Sequence, residues 1–198
     1  MPRKPRPMID NGYYHVISRG NNQESIFLTA DYYRSFKRSI HEAKVKFSWK
    51  LFHYCLMPNH FHLLVHIEKG HDLPKIMHSM LLNYSRWYKH QTGHIGYLWQ
   101  GRFKSPVIDQ DSYMLECGRY IERNPVRANI VKSPEQYPWS SYAHYAKSIN
   151  DPLVDTDPYF DSFGFTLKEK QKNYRNFVRT QGPYDTLLDK TLETNNYF

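Results

Sequence analysis

The chain has little cysteine, no apolar run long enough to span a bilayer, and no internal repeat or low-complexity segment. Its two cysteines, Cys55 and Cys117, do not indicate a disulfide-stapled secreted domain, and we expect both to be small core residues of a reduced cytosolic protein. The basic N-terminal stretch MPRKPRPMIDNG is not followed by an apolar segment, so we expect no secretory signal and no membrane partner. These features favour a cytoplasmic, globular protein.

Acidic residues are also scarce relative to basic ones, with 19 Asp and Glu against 27 Lys and Arg and a formal net charge of +8. Residues 1–150 hold 21 basic and 11 acidic side chains, whereas residues 151–198 hold 6 and 8. Because net charge bears on partners rather than on fold, a polyanion such as a nucleic acid is the natural partner of the basic part. A solvated basic surface without a dedicated ligand explains the charge equally well.

Hydrophobic periodicity and turn residues divide the chain into regular elements. They predict strands at 12–20, 47–57, 57–67 and within 96–108, and helices at 29–46, 72–93, 109–124 and 166–180. The third helix is expected to begin with aspartate caps and to end near Asn124, because Pro125 follows. The order β-α-β-β-α-β, followed by a further helix, predicts a ferredoxin-like α+β fold with an antiparallel sheet. Residues 1–150 would form this domain, and 151–198 a partly helical accessory tail.

The segment MPNHFHLLVHI at 57–67 is unusual for a core strand because histidines interrupt its apolar residues. Side chains alternate between the faces of a strand, which gives two rows. The apolar row consists of Phe61, Leu63, Val65 and Ile67. The second row consists of His60, His62, Leu64 and His66. Because His60 and His62 share a face, their imidazoles converge, as metal ligation requires. Structural histidines and a proton-transferring pair remain open alternatives.

A cation that acts on phosphates also needs an oxygen ligand, since imidazole alone favours zinc or another transition ion. The predicted helix that contains CGRYIERNPVRA offers candidates, because Glu116, Tyr120 and Asn124 are four residues apart and share one helix face. Three arginines accompany them: Arg119, Arg123 and Arg127. These arginines could hold a phosphate backbone, although a solvated face of an amphipathic helix is the simpler interpretation.

Several motifs in this order resemble those of one known family. They are YHVISRGNN, HYCLMPNHFHLLV, LWQGRFKSPVI, RYIERNPVRANIV and YPWSSY, within residues 10–145. The combination resembles the single-tyrosine HUH transposases of the IS200-like superfamily, and within them the REP-associated tyrosine transposases. The resemblance implies an HUH nuclease fold, in which an additional helix carries the tyrosine. The chain after about residue 150 lies outside it.

The resemblance also implies a mechanism. His60 and His62 would bind a divalent cation, Mg²⁺ or Mn²⁺, with Asn124 as the third ligand, although related enzymes often have glutamine there. Tyr120 would attack the scissile phosphate and form a 5′-phosphotyrosine intermediate. The family acts on single-stranded DNA beside a foldback hairpin, as a monomer or a homodimer. The implied activity is that of a metal-dependent single-strand endonuclease and strand transferase.

Further DNA contacts are predicted from basic and aromatic residues. Within YLWQGRFK we select Trp99, Arg102 and Lys104, expecting exposed side chains that stack on bases and hold phosphates; hairpin packing is the alternative. The N-terminal PRKPRP would form a flexible basic arm, with Arg3, Lys4 and Arg6. Three alternatives to a transposase remain: a domesticated hairpin nickase, a non-catalytic nucleic-acid-binding module, and a structural zinc protein. The last is poorly supported, because no second ligand pair with suitable spacing accompanies the histidines.

Overall fold

The computed structural model describes residues 8–108, 111–182 and 185–186. Its centre is a four-stranded antiparallel sheet in the order β2-β3-β1-β4. The strands are β1 (Gly12–Arg19), β2 (Trp49–Met57), β3 (His60–Ile67) and β4 (Val107–Ile108). The helices are α1 (Ala30–Lys46), α2 (Leu73–Thr92), α3 (Asp111–Arg127), α4 (Tyr142–Lys147) and α5 (Leu167–Arg179). The predicted α+β fold with a ferredoxin-like strand order is confirmed.

The two faces of the sheet are covered by different helices. Helices α1 and α2 pack on one face, and the apolar row of β3 is completely buried there. Helix α3 packs on the other face, where its Cys117 and Ile121 meet Leu64 of β3. Both rows predicted for β3 are therefore confirmed, and the histidine row faces the α3 side. Cys55 and Cys117 are buried free thiols, as the sequence predicted.

Local turn chemistry fixes the ends of several elements. Strands β2 and β3 form the predicted hairpin across Pro58 and Asn59. Helix α2 has a proline in its first turn and ends at Gly93, whose φ of 69° is the left-handed conformation that glycine adopts easily. Helix α5 begins at a capping box, in which Thr166 and Glu169 satisfy each other's backbone N–H groups.

The last strand is shorter than the segment 96–108 suggested. Only Val107 and Ile108 form a regular strand, while Lys104 makes an isolated bridge with Ile17 of β1. Pro106 interrupts the ladder because proline has no backbone N–H to donate, although its carbonyl still accepts from His15. The predicted cap Asp109 lies outside the described residues.

Helix α3 does not end at Asn124, and that prediction was wrong. It continues through Pro125 to Arg127. Proline removes the N–H that would bond to the Ile121 carbonyl, but the side-chain amide of Asn124 donates to this carbonyl at 3.4 Å and to that of Tyr120 at 2.9 Å. The asparagine side chain thus partly replaces the missing backbone bond and lets the helix complete one more turn.

The chain after the domain predicted for 1–150 packs against the edge of the sheet. Strand β2 is an edge strand, and the backbone N–H of Asp155 donates to its Leu51 carbonyl at 2.8 Å. Further along the same edge, the Leu56 N–H donates to the Trp139 carbonyl at 2.9 Å. Helices α4 and α5 enclose a third small core beside α3. The domain boundary at residue 150 stays a prediction. No helix among the described residues combines the length and apolar character needed to cross a membrane.

Candidate active site

The histidine row of β3 is joined by a histidine that the sequence did not single out. His15 of β1 is completely buried, and its Nε2 lies 2.9 Å from Nδ1 of His62. The stretch GYYHVISRG carried the signal, because its alternation puts His15 on one face of β1, but the register that brings it to His62 is not visible in the sequence. Because Nδ1 of His62 is engaged by His15, Nε2 of His62 is the ring atom that could bind a cation.

His60 is oriented in the same manner by its own neighbour in the chain. Its Nδ1 lies 2.6 Å from the side-chain oxygen of Asn59, and its ring centroid lies 5.0 Å from that of His62. Burial, and then the charge of Arg19, lower the pKa of His60 to about 4. Burial and the adjacent His60 and His15 lower the pKa of His62 as well. Both imidazoles are therefore neutral near pH 7, which is the form that binds metal ions.

Helix α3 places Tyr120 against this histidine cluster. Its ring centroid lies 5.8 Å from that of His15 and 6.0 Å from that of His62, in edge-to-face contacts. The residue is only 3% exposed. The guanidinium carbon of Arg127 lies 4.6 Å from the centre of the tyrosine ring. A tyrosine, two converging imidazoles and an arginine thus meet at one place.

Asn124 is buried one helical turn after Tyr120, on the same helix face. Its amide nitrogen is held by the helix carbonyls described above, and it makes no hydrogen bond to His60 or His62 among the described residues. Because these two hydrogen bonds engage the amide nitrogen of Asn124, its side-chain oxygen is the atom that could act as a metal ligand. The predicted partner Glu116, on the same helix, instead forms an ion pair with Arg119.

The donor set fits a divalent cation. Two neutral imidazoles with their Nε2 atoms available, together with an amide oxygen on the facing helix, would leave coordination positions open for phosphate oxygens. Among the residues that the structure describes, no group of three or more His, Cys, Asp or Glu is placed to bind a metal. Among the described residues, Asn124 is the candidate for a third protein ligand at this cluster.

The arginines of α3 have different environments. Arg119 is only 5% exposed, pairs with Glu116 and lies 4.2 Å from the ring centre of Phe177. Arg119 is therefore not part of a solvated helix face, because α5 covers that part of the helix, and its role in holding phosphate stays a prediction. Arg123 is partly buried, and Arg127 is exposed next to Tyr120. The guanidinium of Arg127 is the one that lies over the tyrosine ring among the described contacts.

The aromatic loop also differs from its prediction. Trp99 is partly buried, donates from its indole nitrogen to Ser85 at 2.8 Å and packs on Phe61 with centroids 5.7 Å apart. Lys104 is buried as well. The expected exposure of both side chains was wrong, because the loop is anchored to β1 and α2. The alternative stated for this segment, packing within a hairpin, describes Trp99 better. Arg102 is exposed as predicted. Arg3, Lys4 and Arg6 of the predicted arm lie outside the described residues.

The exposed aromatic residue of this loop is one that the sequence did not single out. Tyr97 is 87% exposed, and the following Leu98 carbonyl accepts from the Asn21 N–H at 2.8 Å. The neighbouring Gly20 donates to the Asn59 carbonyl at 2.7 Å, so the loop lies at the end of the sheet that carries His60. An aromatic ring in solvent is a surface on which an unstacked base can stack.

Comparisons with known proteins bear on this arrangement. A family model described as Transposase IS200 like matches residues 8–124. A Haemophilus influenzae protein, provisionally named a REP-associated tyrosine transposase, is 23% identical over 159 residues, which cover 72% of this chain and 86% of that protein. The structure of a REP-associated tyrosine transposase bound to a REP hairpin matches with a TM-score of 0.64 at 21% identity, covering 79% of this chain and 93% of the other. The crystal structure of a Deinococcus radiodurans protein that is provisionally named a transposase matches with a TM-score of 0.43 at 16% identity, covering 65% of this chain and 92% of the other.

Proposed function

The chain belongs to the IS200-like transposase family, and on that premise we propose that it cuts and rejoins single-stranded DNA beside a hairpin through a 5′-phosphotyrosine intermediate. The family resemblance read from the sequence motifs is thereby confirmed. The choice of a hairpin substrate rests on the relative whose structure holds a REP hairpin and on the basic charge of residues 1–150. Such a substrate would place its action in the bacterial cytoplasm.

The observation that carries the proposal is the contact between Tyr120 and the histidine row. A phenol titrates near about pH 10 and is a poor nucleophile at neutral pH without assistance. A divalent cation bound by His60 and His62, with Asn124 as third ligand, would polarise the phosphoryl oxygens. The Nδ1 contacts of both histidines hold the rings in place, and the side-chain bonds of Asn124 hold its amide.

The proposed reaction is the one that the family resemblance implies. The phenolic oxygen of Tyr120 attacks the scissile phosphorus, the bond from phosphorus to the 3′ oxygen breaks, and a proton passes to that oxygen to give a free 3′-hydroxyl. The 5′ side remains attached to the tyrosine. Arg127, whose guanidinium carbon lies 4.6 Å from the centre of the Tyr120 ring, would hold the scissile phosphate. Because the phosphotyrosine conserves the energy of the phosphodiester, attack by another 3′-hydroxyl rejoins strands without ATP.

The test is the formation of a covalent protein–DNA adduct. Labelled hairpin DNA with a single-stranded flank is incubated with Mn²⁺, with Mg²⁺ or with chelator, and the products are separated under denaturing conditions. We expect an adduct that depends on the cation and is lost in Tyr120→Phe. The matched control is Tyr97→Phe, which removes the hydroxyl of an exposed ring. An adduct that persists in Tyr120→Phe would exclude Tyr120 as the nucleophile.

A second function is favoured by one observation. Tyr120 is only 3% exposed, which suits a binding module whose tyrosine is a packing residue. Hairpin binding without an adduct, across a varied panel of hairpins, would support this alternative. A domesticated nickase would form the adduct but would fail to join a second strand, so a strand-joining assay separates it from a transposase.

A further inference from the structure

A second buried polar cluster lies on β2, on the side of α3 away from Tyr120, and involves none of the residues assigned a chemical role above. At its centre is His53, whose Nδ1 lies 3.0 Å from a carboxylate oxygen of Glu122 and whose Nε2 lies 3.0 Å from one of Asp157. All three side chains are at most 1% exposed. They come from β2, from α3 and from the segment between α4 and α5.

The chain after residue 137 supplies the remaining partners of Glu122. The Ser141 hydroxyl donates to one carboxylate oxygen at 2.6 Å, and the Tyr174 hydroxyl of α5 donates to the other at 2.7 Å. Glu122 is completely buried. A buried carboxylate is stable only when its oxygens are hydrogen-bonded, and here both are.

The imidazole of His53 is also closely packed by neighbouring side chains. The ring of Tyr145 stacks on that of His53 with centroids 4.6 Å apart and an interplanar angle of 24°. The Tyr145 hydroxyl donates to the Phe52 carbonyl at 2.8 Å and accepts from the Asp157 N–H at 3.1 Å. A Cβ added to Gly118 of α3 would lie 2.8 Å from Nε2 of His53. The glycine therefore allows β2 and α3 to approach closely at this point.

The electrostatics make the cluster an ion triad. Burial alone would lower the pKa of His53, but the hydrogen bonds and charges of Asp157 and Glu122 raise it to about 9. The imidazole is therefore charged at neutral pH and lies between two carboxylates. Removing one member of such a buried set leaves the others incompletely compensated, so the triad resists separation of the elements that carry it.

The position of the triad on α3 is what connects it with Tyr120. Among the described residues of α3, Met114, Cys117, Tyr120 and Ile121 belong to the core between this helix and the sheet, and the face is centred on Met114, Cys117 and Ile121. Since each residue turns a helix by about 100°, Tyr120 projects from one flank of this face and Glu122 from the other, on the same flank as Gly118. Holding Glu122 against His53 therefore prevents α3 from rotating about its axis. Such a rotation would move the phenol of Tyr120 away from His15 and His62.

We propose that the segment 151–180 is part of the catalytic unit: through Asp157 and Tyr174 it completes a buried brace around Glu122 and His53 that holds Tyr120 over the histidine row. The proposal rests on the proposed function, and these four are positioning residues, since they act on Tyr120 through the orientation of α3. A misplacement of reacting atoms by about 1 Å can cost a factor of about 100 in rate, so a loosened brace should act on the chemical step.

The experiment compares Asp157→Asn with the wild-type chain. This change removes one charge of the triad and retains the size of the side chain. The matched control is Asp161→Asn, the same change at an exposed side chain of the same segment. Tyr174→Phe is a milder second variant that removes a single hydroxyl, for use if Asp157→Asn does not fold. Four quantities are measured: the rate of adduct formation at saturating hairpin DNA, the Kd for that DNA, amide hydrogen exchange and the thermal midpoint.

We expect Asp157→Asn to lower the adduct rate by about 10- to 100-fold with little change in Kd. Amides of α3 should exchange faster while those of β1 and β3 stay protected, and Asp161→Asn should behave as wild type. An unchanged adduct rate together with unchanged exchange in α3 would overturn the proposal. So would an equal loss of protection throughout the sheet, since that indicates a general structural role. If the wild-type chain forms no adduct, the proposed function fails, while hydrogen exchange in α3 still reports whether the brace exists.

Discussion

The charged state of His53 predicts how the stability of the fold depends on pH. Its pKa is about 9 in the folded chain against 6.5 for an unperturbed histidine, because two carboxylates outweigh the effect of burial. The folded state therefore holds this proton more tightly than the unfolded state. The resulting stabilisation is complete below pH 6.5, declines as the pH rises towards 9 and is lost above it. Replacement by His53→Gln removes this dependence.

The size of the effect follows from the same values. A tenfold difference in proton affinity is worth about 1.4 kcal/mol, so the rise of the His53 pKa corresponds to about 3 kcal/mol. The difference in free energy of unfolding between wild type and His53→Gln should shrink by about this amount between pH 6 and pH 9.5. With a urea m-value of about 2 kcal/mol/M, the difference between the two urea midpoints should change by roughly 1.5 M.

The assay is urea unfolding at a series of pH values, followed by circular dichroism for both chains. Taking the difference between the variant and the wild type removes the contribution of groups that titrate equally in both chains. His78→Gln is the control, since it makes the same substitution at a histidine that is exposed on α2. A stability difference between wild type and His53→Gln that stays constant to within about 1 kcal/mol from pH 6 to 9.5 would show that His53 is not charged in the folded protein.

Three further outcomes are expected. Gly118→Ala should destabilise the fold by about 1–3 kcal/mol in urea unfolding, because its methyl group would overlap His53. Tyr97→Ala should leave stability unchanged but weaken binding of single-stranded DNA about 5- to 100-fold, as measured by fluorescence anisotropy. By contrast, Trp99→Ala should chiefly lower the free energy of unfolding, by about 3 kcal/mol. Mn²⁺ at about 100 times its Kd should stabilise the wild type by about 2.7 kcal/mol in thermal unfolding; equal stabilisation of His62→Gln would argue against the histidine site.

Local patterns were sufficient to predict most of the fold. The alternation in MPNHFHLLVHI correctly gave the two faces of β3, because strand geometry alone decides them. Turn residues correctly placed the β2–β3 hairpin and the end of α2 at Gly93. The rule that proline ends a helix failed for α3, since the side chain of Asn124 substitutes for the missing donor. A propensity rule does not include such side-chain substitution.

Residue patterns alone grouped only site residues that are close in sequence, and the family resemblance was needed to combine the histidine pair with the tyrosine helix. His60 and His62 are two residues apart on one strand, and Tyr120 and Asn124 are one helical turn apart. The contact of His15 with His62 joins residues 47 apart, and that of His53 with Asp157 joins residues 104 apart. These contacts depend on strand register and on the packing of the C-terminal segment, which no local pattern encodes. Exposure was similarly hard to predict, since Trp99 and Tyr97 lie in one short loop with opposite environments.

The backbone contacts along β2 have a consequence for the solubility of shortened chains. An uncovered edge strand offers a row of unpaired N–H and C=O groups to which another chain can add, and this is a common route to aggregation. Here residues 139–141 and 155 occupy groups along that edge, including the N–H of Leu56 and the carbonyls of Leu51 and Tyr54. A chain cut at residue 150 would retain the contacts of residues 139–141 with β2 and would lose the contact of residue 155. Its β2 edge would then be open near Leu51, where the pairing of β2 with β3 shifts register between Leu51 and His53, and strand addition between copies would begin there.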